Sequence, residues 1–117
     1  MNEIVGIDQL NLYIYLNKKK IIMLYFGAIW CNPCKKLKNK LNDPQELIEM
    51  QDLCTCYLDI DNENNKEIVE IYDVVILPTL FFINLNNDNE IEILHKIVGY
   101  DWVGIKFTYD KIKNTVL

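Results

Sequence analysis

The order of apolar and polar residues along this chain predicts an alternation of short strands and helices. Short apolar or alternating runs predict strands at 3–6, 21–27, 54–59, 79–84 and 91–98. Apolar residues at three- and four-residue intervals predict helices at 8–17, 44–51, 62–72 and 101–115, and a lysine-rich helix after Cys34. With the helix around Asn42 counted as one interrupted helix, the order is βαβαβαββα. This order predicts an α/β fold, a central mixed sheet flanked by helices on both faces, in a single domain over 1–117.

Helix ends and buried helix faces can also be predicted. Asp8 is expected to cap the first helix, and Asp43 with Pro44 is expected to interrupt the lysine-rich helix and begin a new segment. The first helix has a predicted buried stripe at Leu10, Tyr13, Ile14 and Leu16. The last helix has a predicted stripe at Trp102, Ile105, Tyr109, Ile112 and Val116, with Phe107 as a further packing aromatic.

Composition and charge narrow the classes of function. The net charge is −5 and every basic residue is a lysine, which argues against a nucleic-acid-binding protein. The longest apolar run, residues 21–30, is too short to cross a membrane, and the first residues lack the pattern of a signal peptide. Half of the residues are hydrophobic, which is enough for a core without disulfide staples. We therefore expect a cytoplasmic monomer that binds neither nucleic acid nor membranes.

The segment Cys31-Asn32-Pro33-Cys34 carries the candidate chemistry. It lies between a predicted buried strand and a predicted helix, which is the context of a redox-active cysteine pair. Unpaired N–H groups and the helix dipole at the helix start favour a thiolate at Cys31, the expected nucleophile. Cys34, one turn into the helix, is the expected resolving thiol, and Pro33 suits an early helical position. Two buried or zinc-binding cysteines are the alternative.

Other polar residues have simpler interpretations. Cys54 and Cys56 alternate on a predicted strand, so they share a sheet face opposite Tyr57 and are expected to be buried and inert. Zinc ligation with the first pair, or a regulatory thiol, is the alternative. His95 is expected to be a surface or half-buried strand residue rather than a catalytic base. Four lysines after Cys34 form a solvated helix face or a docking site for an acidic partner: Lys35, Lys36, Lys38 and Lys40.

Several of these segments together resemble the thioredoxin family. The resemblance rests on Trp30–Lys35 after an apolar strand, Leu58–Asp61 ending a later strand, Ile76–Thr79 opening the next, and Val98-Gly99 before the last helix. It covers nearly the whole chain in the right order and implies a thioredoxin fold. The segment around Asn42 is also similar to thioredoxin-like domains of membrane-linked electron-transfer reductases.

The resemblance implies a set of site residues. Cys31 and Cys34 would be the catalytic pair, supported by Trp30, Pro33, Lys35, Pro78 and Tyr25. Pro78 would be a cis-proline facing the cysteines, with the Leu77 backbone placed to pair with a substrate strand. An apolar substrate groove around Cys31 would be formed by Trp30, Ile60, Leu77, Pro78, Val98, Gly99 and Tyr100.

The chain departs from the thioredoxin pattern at four positions. Tyr25 occupies the place of the usual buried aspartate, which is thought to accept the proton of the resolving cysteine, and Tyr57 occupies that of a lysine. A buried phenol is a poor base at neutral pH, so we predict slow activation of Cys34. Ile76 replaces a glycine beside the groove, and Asn39 replaces the proline inside the active-site helix.

The resemblance and the motif together predict a thiol–disulfide oxidoreductase that reduces protein disulfides. It would need no cofactor and no metal, and it would take electrons from a thioredoxin reductase or a related donor. Asn-Pro between the cysteines is closer to the Gly-Pro of reducing thioredoxins than to the histidine-containing pairs of oxidases and isomerases. The alternatives are a binding or chaperone module with a regulatory dithiol, and a disulfide isomerase or oxidase.

Overall fold

The elements follow the predicted order. A computed structural model describes residues 1–115. The strands are β1 (Asn2–Glu3), β2 (Ile21–Gly27), β3 (Leu53–Asp59), β4 (Thr79–Leu85) and β5 (Ile91–Val98). The helices are α1 (Ile7–Leu16), α2 (Asn32–Leu41), α3 (Pro44–Leu47), α4 (Lys66–Ile71) and α5 (Trp102–Thr115), with a 3₁₀ turn at Glu63–Asn65 before α4.

The strands of the described residues form one mixed sheet in the order β1-β3-β2-β4-β5. β1 and β2 run parallel to β3, whereas β4 is antiparallel to both β2 and β5. All seven residues of β2 are buried because it lies in the centre of the sheet, with helices over both of its faces. This central position accounts for its uninterrupted apolar sequence.

Successive side chains of β2 enter two separate cores. One, the cysteine-side core, joins the sheet to α2 and α5 and contains Ile21, Met23, Tyr25, Cys31, Cys34, Leu37, Trp102, Ile105 and Tyr109. The other, the α1-side core, contains Ile22, Leu24, Phe26, Cys56, Leu10, Ile14 and Ile68. Each fully buried Leu, Ile or Phe side chain contributes about 1.5–3 kcal/mol relative to an exposed one.

The start of the chain differs from its prediction. β1 ends at Glu3, because Gly6 has a φ of +86° and its N–H donates to the Asn65 side chain, which turns the chain out of the sheet. α1 then begins at Ile7, so the predicted cap at Asp8 is wrong. Asp8 lies instead in the first turn of α1, where the positive end of the helix dipole stabilises its negative charge.

Some predicted helix features are also corrected. Leu16 and Phe107 are 69% and 66% exposed, so neither packs in a core, because both lie on the outer faces of their helices. The helix predicted at 62–72 is split into the 3₁₀ turn and α4, and α3 ends at Leu47, before the predicted end. The other predicted core residues of α5 are buried, apart from Val116, which lies outside the described residues.

The break after α2 is confirmed. α2 ends at Leu41, and α3 begins at Pro44 with the Asp43 carboxylate accepting the Gln45 N–H at 3.0 Å. Glu46 of α3 then accepts from Lys40 of α2 and from the indole N–H of Trp102 of α5, each at 2.9 Å. The short helix therefore ties the active-site helix to the last helix.

Candidate active site

The two cysteines stand at the junction between β2 and α2. Cys31 is the N-cap of α2, and its Sγ accepts the Cys34 N–H at 3.3 Å. The two sulfurs are paired as a disulfide, with their Cα atoms 5.2 Å apart. Cys34 is the more deeply buried, with 2% of its surface exposed. The spacing and the helix start thus bring both sulfurs together.

The helix end supplies the electrostatics of the pair. Pro33 occupies one of the first two helical positions, where its missing N–H leaves no acceptor unpaired. The first turn of α2 has no acidic residue, and Lys38 and Lys40 lie in its last turn. After reduction, the N–H groups and the positive end of the dipole lie beside Cys31 Sγ and favour its thiolate.

Trp30 is fixed over the site by a residue from the end of β3. Its side chain is 64% exposed, yet the indole N–H donates to Asp61 Oδ2 at 2.8 Å. The Asp61 N–H in turn donates to Asp59 Oδ1 at 2.9 Å. A large apolar surface is therefore held in one orientation beside Cys31.

The segment before β4 forms another side of the site. The Leu77–Pro78 peptide bond is cis, as the resemblance implies, and Thr79 Oγ1 donates to the Ile76 carbonyl. The Gly99 N–H donates to the Pro78 carbonyl at 2.8 Å, and Gly99 has a φ of +88°, which favours glycine.

The predicted groove residues come from segments that the fold brings to one end of the sheet. Ile60 and Leu77 are partly buried against the cysteine-side core, and Val98 pairs with Thr79 across β4 and β5. Exposed apolar residues at this end include Ile29, Trp30, Val75, Ile76, Val98 and Tyr100. Their roles in binding substrate stay predictions.

Two tyrosines lie behind the cysteines. Tyr25 and Tyr57 are paired across β2 and β3, and their rings meet edge to face with centroids 5.0 Å apart. The Tyr25 hydroxyl donates to the Cys34 carbonyl oxygen at 2.8 Å. A Cβ atom on Gly27 would approach the Tyr25 ring within 2.8 Å and the Tyr57 ring within 3.1 Å. Glycine at this position therefore makes room for both rings.

Neither phenol can act as a base near neutral pH. Burial raises the pKa of Tyr25 well above its usual value, and the neighbouring Tyr57 adds to the effect. Burial, with the negative charges of Asp59, Glu3 and Asp61, raises the pKa of Tyr57 to about 12. Tyr25 is thus a hydrogen-bond donor that fixes the backbone of α2 at Cys34.

A cleft of about 360 Å³ leads from Cys34 towards solvent. Its lining residues are Glu3, Tyr25, Ala28, Ile29, Cys34, Lys35, Lys38, Tyr57 and Asp59. Cys34, two carboxylates and two lysines therefore lie along the same cleft. A second cleft, of about 390 Å³ between β5 and α5, has none of the predicted site residues among its lining and includes His95, which is exposed as predicted.

A family model described as Thioredoxin matches residues 5–99. This chain belongs to the thioredoxin family. The structure of Trichomonas vaginalis thioredoxin superimposes with a TM-score of 0.82 and 28% identity, over 96% of each chain. The predicted family and fold are both confirmed.

Two similar proteins known from sequence are longer than this chain. Plasmodium falciparum thioredoxin 3 is 26% identical over 110 residues, which are 93% of this chain and 57% of that protein. The Haemophilus influenzae thiol:disulfide interchange protein DsbD is 30% identical over 93 residues, which are 77% of this chain and 16% of that protein. This thioredoxin-family chain thus spans little more than half of one relative and a small part of the other.

The second cysteine pair of this thioredoxin-family chain shares one sheet face as predicted, but only Cys56 is buried, whereas Cys54 is partly exposed. Cys54 and Cys56 face the α1-side core, whereas Tyr57 packs on the cysteine-side core. Both are free thiols, and Cys54 Sγ lies 3.6 Å from Asn17 Oδ1. Within residues 1–115, no three His, Cys, Asp or Glu side chains are grouped to hold a metal ion, and no helix is long and apolar enough to span a membrane.

Residues that the sequence analysis did not single out complete the thioredoxin site. Asp61 orients Trp30, Gly27 accommodates the tyrosine rings, and Asp59 lines the cleft that reaches Cys34. The signal for the two aspartates was their alternate spacing just where β3 ends. The signal for Gly27 was a glycine ending an otherwise apolar strand that contains Tyr25.

Proposed function

We propose that this chain is a thiol–disulfide oxidoreductase that reduces protein disulfides through a dithiol–disulfide cycle of Cys31 and Cys34. The observation that carries the proposal is the position of Cys31 as the N-cap of α2, paired with the sulfur of Cys34. A thiolate at a helix N-terminus is both stabilised and nucleophilic.

The proposed cycle has two exchange steps. The Cys31 thiolate attacks one sulfur of a substrate disulfide, and the other substrate sulfur leaves as a thiolate. Cys34 loses its proton and attacks Cys31 Sγ, which forms the Cys31–Cys34 disulfide and releases the second substrate thiolate. The substrate gains two electrons and, after protonation of its thiolates, two protons. The chemistry uses only the two sulfurs, so the cycle needs no organic cofactor or metal.

The partners that fit this cycle are disulfide-containing proteins and a dithiol donor. Exposed apolar side chains around Cys31 suit an unfolded or extended substrate segment, and the fixed indole of Trp30 provides one wall. The oxidised pair would be reduced by a thioredoxin reductase or a related donor. We propose a cytoplasmic location, where such donors keep thiols reduced.

Reduction of insulin disulfides tests the proposal directly. The reduced protein should precipitate insulin chains in the presence of dithiothreitol, and Cys31→Ser should bring the rate down to the uncatalysed background. Cys54→Ser is the matched control, because it removes a thiol outside the pair, and it should retain the rate. Background activity in the unchanged protein would contradict the proposal.

A binding module with a regulatory dithiol is the second candidate, and the tyrosine pair favours it. Tyr25 and Tyr57 stand where thioredoxins usually have a buried aspartate and a lysine. A binding module would not need those charged groups behind the cysteines. A redox-active pair should equilibrate with glutathione and change the fluorescence of Trp30 on reduction, whereas a binding module need do neither. A reduction potential far above about −200 mV would instead indicate an oxidase or isomerase.

A further inference from the structure

The cleft behind Cys34 contains a carboxylate, that of Asp59, although Tyr25 occupies the place of the usual buried aspartate of thioredoxins. Asp59 is the last residue of β3 and is paired with Gly27 of β2, two residue pairs beyond the Tyr25–Tyr57 pair. Since side chains alternate along a strand, Asp59 lies on the same sheet face as Tyr57, which packs on the cysteine-side core. Asp59 and Cys34 line the same cleft.

Hydrogen bonds at Asp59 and at the residue after it hold Asp59 in place. The buried Asn65 side chain donates to the Asp59 carbonyl at 3.1 Å, and the Asp61 N–H donates to Asp59 Oδ1 at 2.9 Å. The Gly27 carbonyl accepts the N–H of the next residue, Ile60, at 3.1 Å. The bond from Asp61 occupies only one of the two carboxylate oxygens. Asp59 is half-buried, so its carboxylate stands between the protein interior and solvent.

We propose that Asp59 accepts the proton of Cys34, through water in the cleft, when Cys34 attacks the mixed disulfide. The Cys34 S–H bond breaks, and its proton passes through water to the carboxylate. The sulfur electron pair forms the bond to Cys31 Sγ while the Cys31–substrate S–S bond breaks, and the substrate sulfur leaves as a thiolate. The carboxylic acid then returns the proton to solvent. This inference rests on the proposed dithiol cycle and names the residue that completes it.

The other groups in the cleft are less suited to this role. The phenols of Tyr25 and Tyr57 are protonated at neutral pH, and Tyr25 already donates to the Cys34 carbonyl. Glu3 belongs to β1 and pairs with Tyr57, so β3 separates it from β2. The groups that face Asp59 from the elements around it are Glu3, Tyr25, Tyr57, Lys35, Lys38 and the neighbouring Asp61.

Stopped-flow reaction of the reduced protein with 5,5′-dithiobis(2-nitrobenzoic acid) separates the two steps. Attack by Cys31 releases one coloured thiolate at a rate that depends on reagent concentration, and attack by Cys34 releases a second at a rate that does not. Asp59→Asn should slow the second phase about 100-fold at pH 6–7, at the lower end of the effect of a general base, and leave the first within about twofold. The difference should vanish at high pH, where hydroxide removes the proton.

The controls decide between a proton acceptor and a nearby charge. Glu3→Gln removes the other carboxylate of the cleft and should leave both phases unchanged, and Asp59→Glu should restore most of the second phase. If the carboxylate acted only as a charge, its removal would favour the Cys34 thiolate and speed the second phase. A second phase of Asp59→Asn that is faster than or equal to that of the unchanged protein overturns the inference. Absence of a second phase in the unchanged protein would instead overturn the dithiol cycle itself.

Discussion

The protein contains two pairs of cysteines whose surroundings differ, and we expect the two pairs to have opposite chemistry. Cys31 and Cys34 stand at the N-terminus of α2, whereas Cys54 and Cys56 alternate along β3. Burial does not separate the pairs, since Cys34 is 2% exposed and Cys56 is 0% exposed. The difference is the helix end, which gives the first pair N–H donors and a positive dipole. Secondary structure, rather than burial or spacing alone, therefore distinguishes the two pairs and predicts which one is reactive.

The reactivity of the two pairs with iodoacetamide should differ most. Burial raises the pKa of the Cys56 thiol, and the nearby Cys54 adds to the effect, so its thiolate fraction falls tenfold for every unit of the increase. In the reduced protein at pH 7, we expect Cys31 to be alkylated at least about 10³-fold faster than Cys56. Mass spectrometry of a time course measures both rates.

The pH dependence sharpens this prediction. Labelling of Cys56 should keep rising across pH 7–10, because its raised pKa lies above that range, whereas labelling of Cys31 should reach a plateau. Unfolding in urea is the matched control and should bring the two rates together. Similar rates in the folded protein would contradict the assignment of a reactive and an inert pair.

Replacement of Tyr25 by aspartate would place a carboxylate beside Cys34. Neither Cys34 nor Cys56 has an aspartate in this position in the unchanged protein. We expect the release of the second thiolate to accelerate about tenfold above neutral pH, because a carboxylate beside the thiol accepts its proton. Burial would raise the pKa of the new carboxyl, so the acceleration is present above that pKa and is lost as the pH falls through it. Unchanged rates across pH 6–9 would show that the proton of Cys34 does not limit the reaction.

Replacement of Tyr25 by phenylalanine tests its role as a hydrogen-bond donor. This change removes only the hydroxyl that donates to the Cys34 carbonyl, so we expect a loss of about 1 kcal/mol in the free energy of unfolding. Both exchange phases should stay within about twofold of the unchanged protein, because a phenol is not a base at neutral pH. Urea denaturation gives the stability, and a tenfold slower second phase would show that the hydroxyl takes part in the chemistry.

The fold, and the two cysteines that form the disulfide, could be predicted from the sequence because these depend on local patterns. The apolar run of β2, the helix after Cys34 and the break at Pro44 are all visible as spacing. The positions of Asp59 and Gly27 relative to the tyrosines and Cys34 had only weak local signals in the sequence, since these positions depend on the register between β2 and β3. The exposure of Leu16 and Phe107 was also missed, because both were assigned to packing although they lie on the outer faces of their helices.

The charged residues that follow each cysteine pair also differ, and we expect this difference to have the smallest effect on reactivity. Cys34 is followed by the exposed Lys35, Lys36 and Lys38, whereas β3 ends after Cys56 at Asp59, with Asp61 two residues further on. The remaining lysine of α2, Lys40, forms an ion pair with Glu46 at 2.9 Å. The three exposed lysines therefore lie beside the reactive pair and suit an acidic partner.

The contribution of Lys35, Lys36 and Lys38 to docking should be measurable as a dependence of the reduction rate on salt concentration. Glutamine at all three positions should lower the rate of reduction of an acidic disulfide peptide about two- to fivefold at low ionic strength, and the effect should fade as salt screens the charges. Glutamine at Lys18, Lys19 and Lys20 is the matched control, because that turn precedes β2 and lies about 20 Å from the cysteines along the strand. The neutral hydroxyethyl disulfide should react equally with both variants. An equal loss with this neutral substrate would place the lysines in the chemistry of the pair instead of in the recognition of acidic partners.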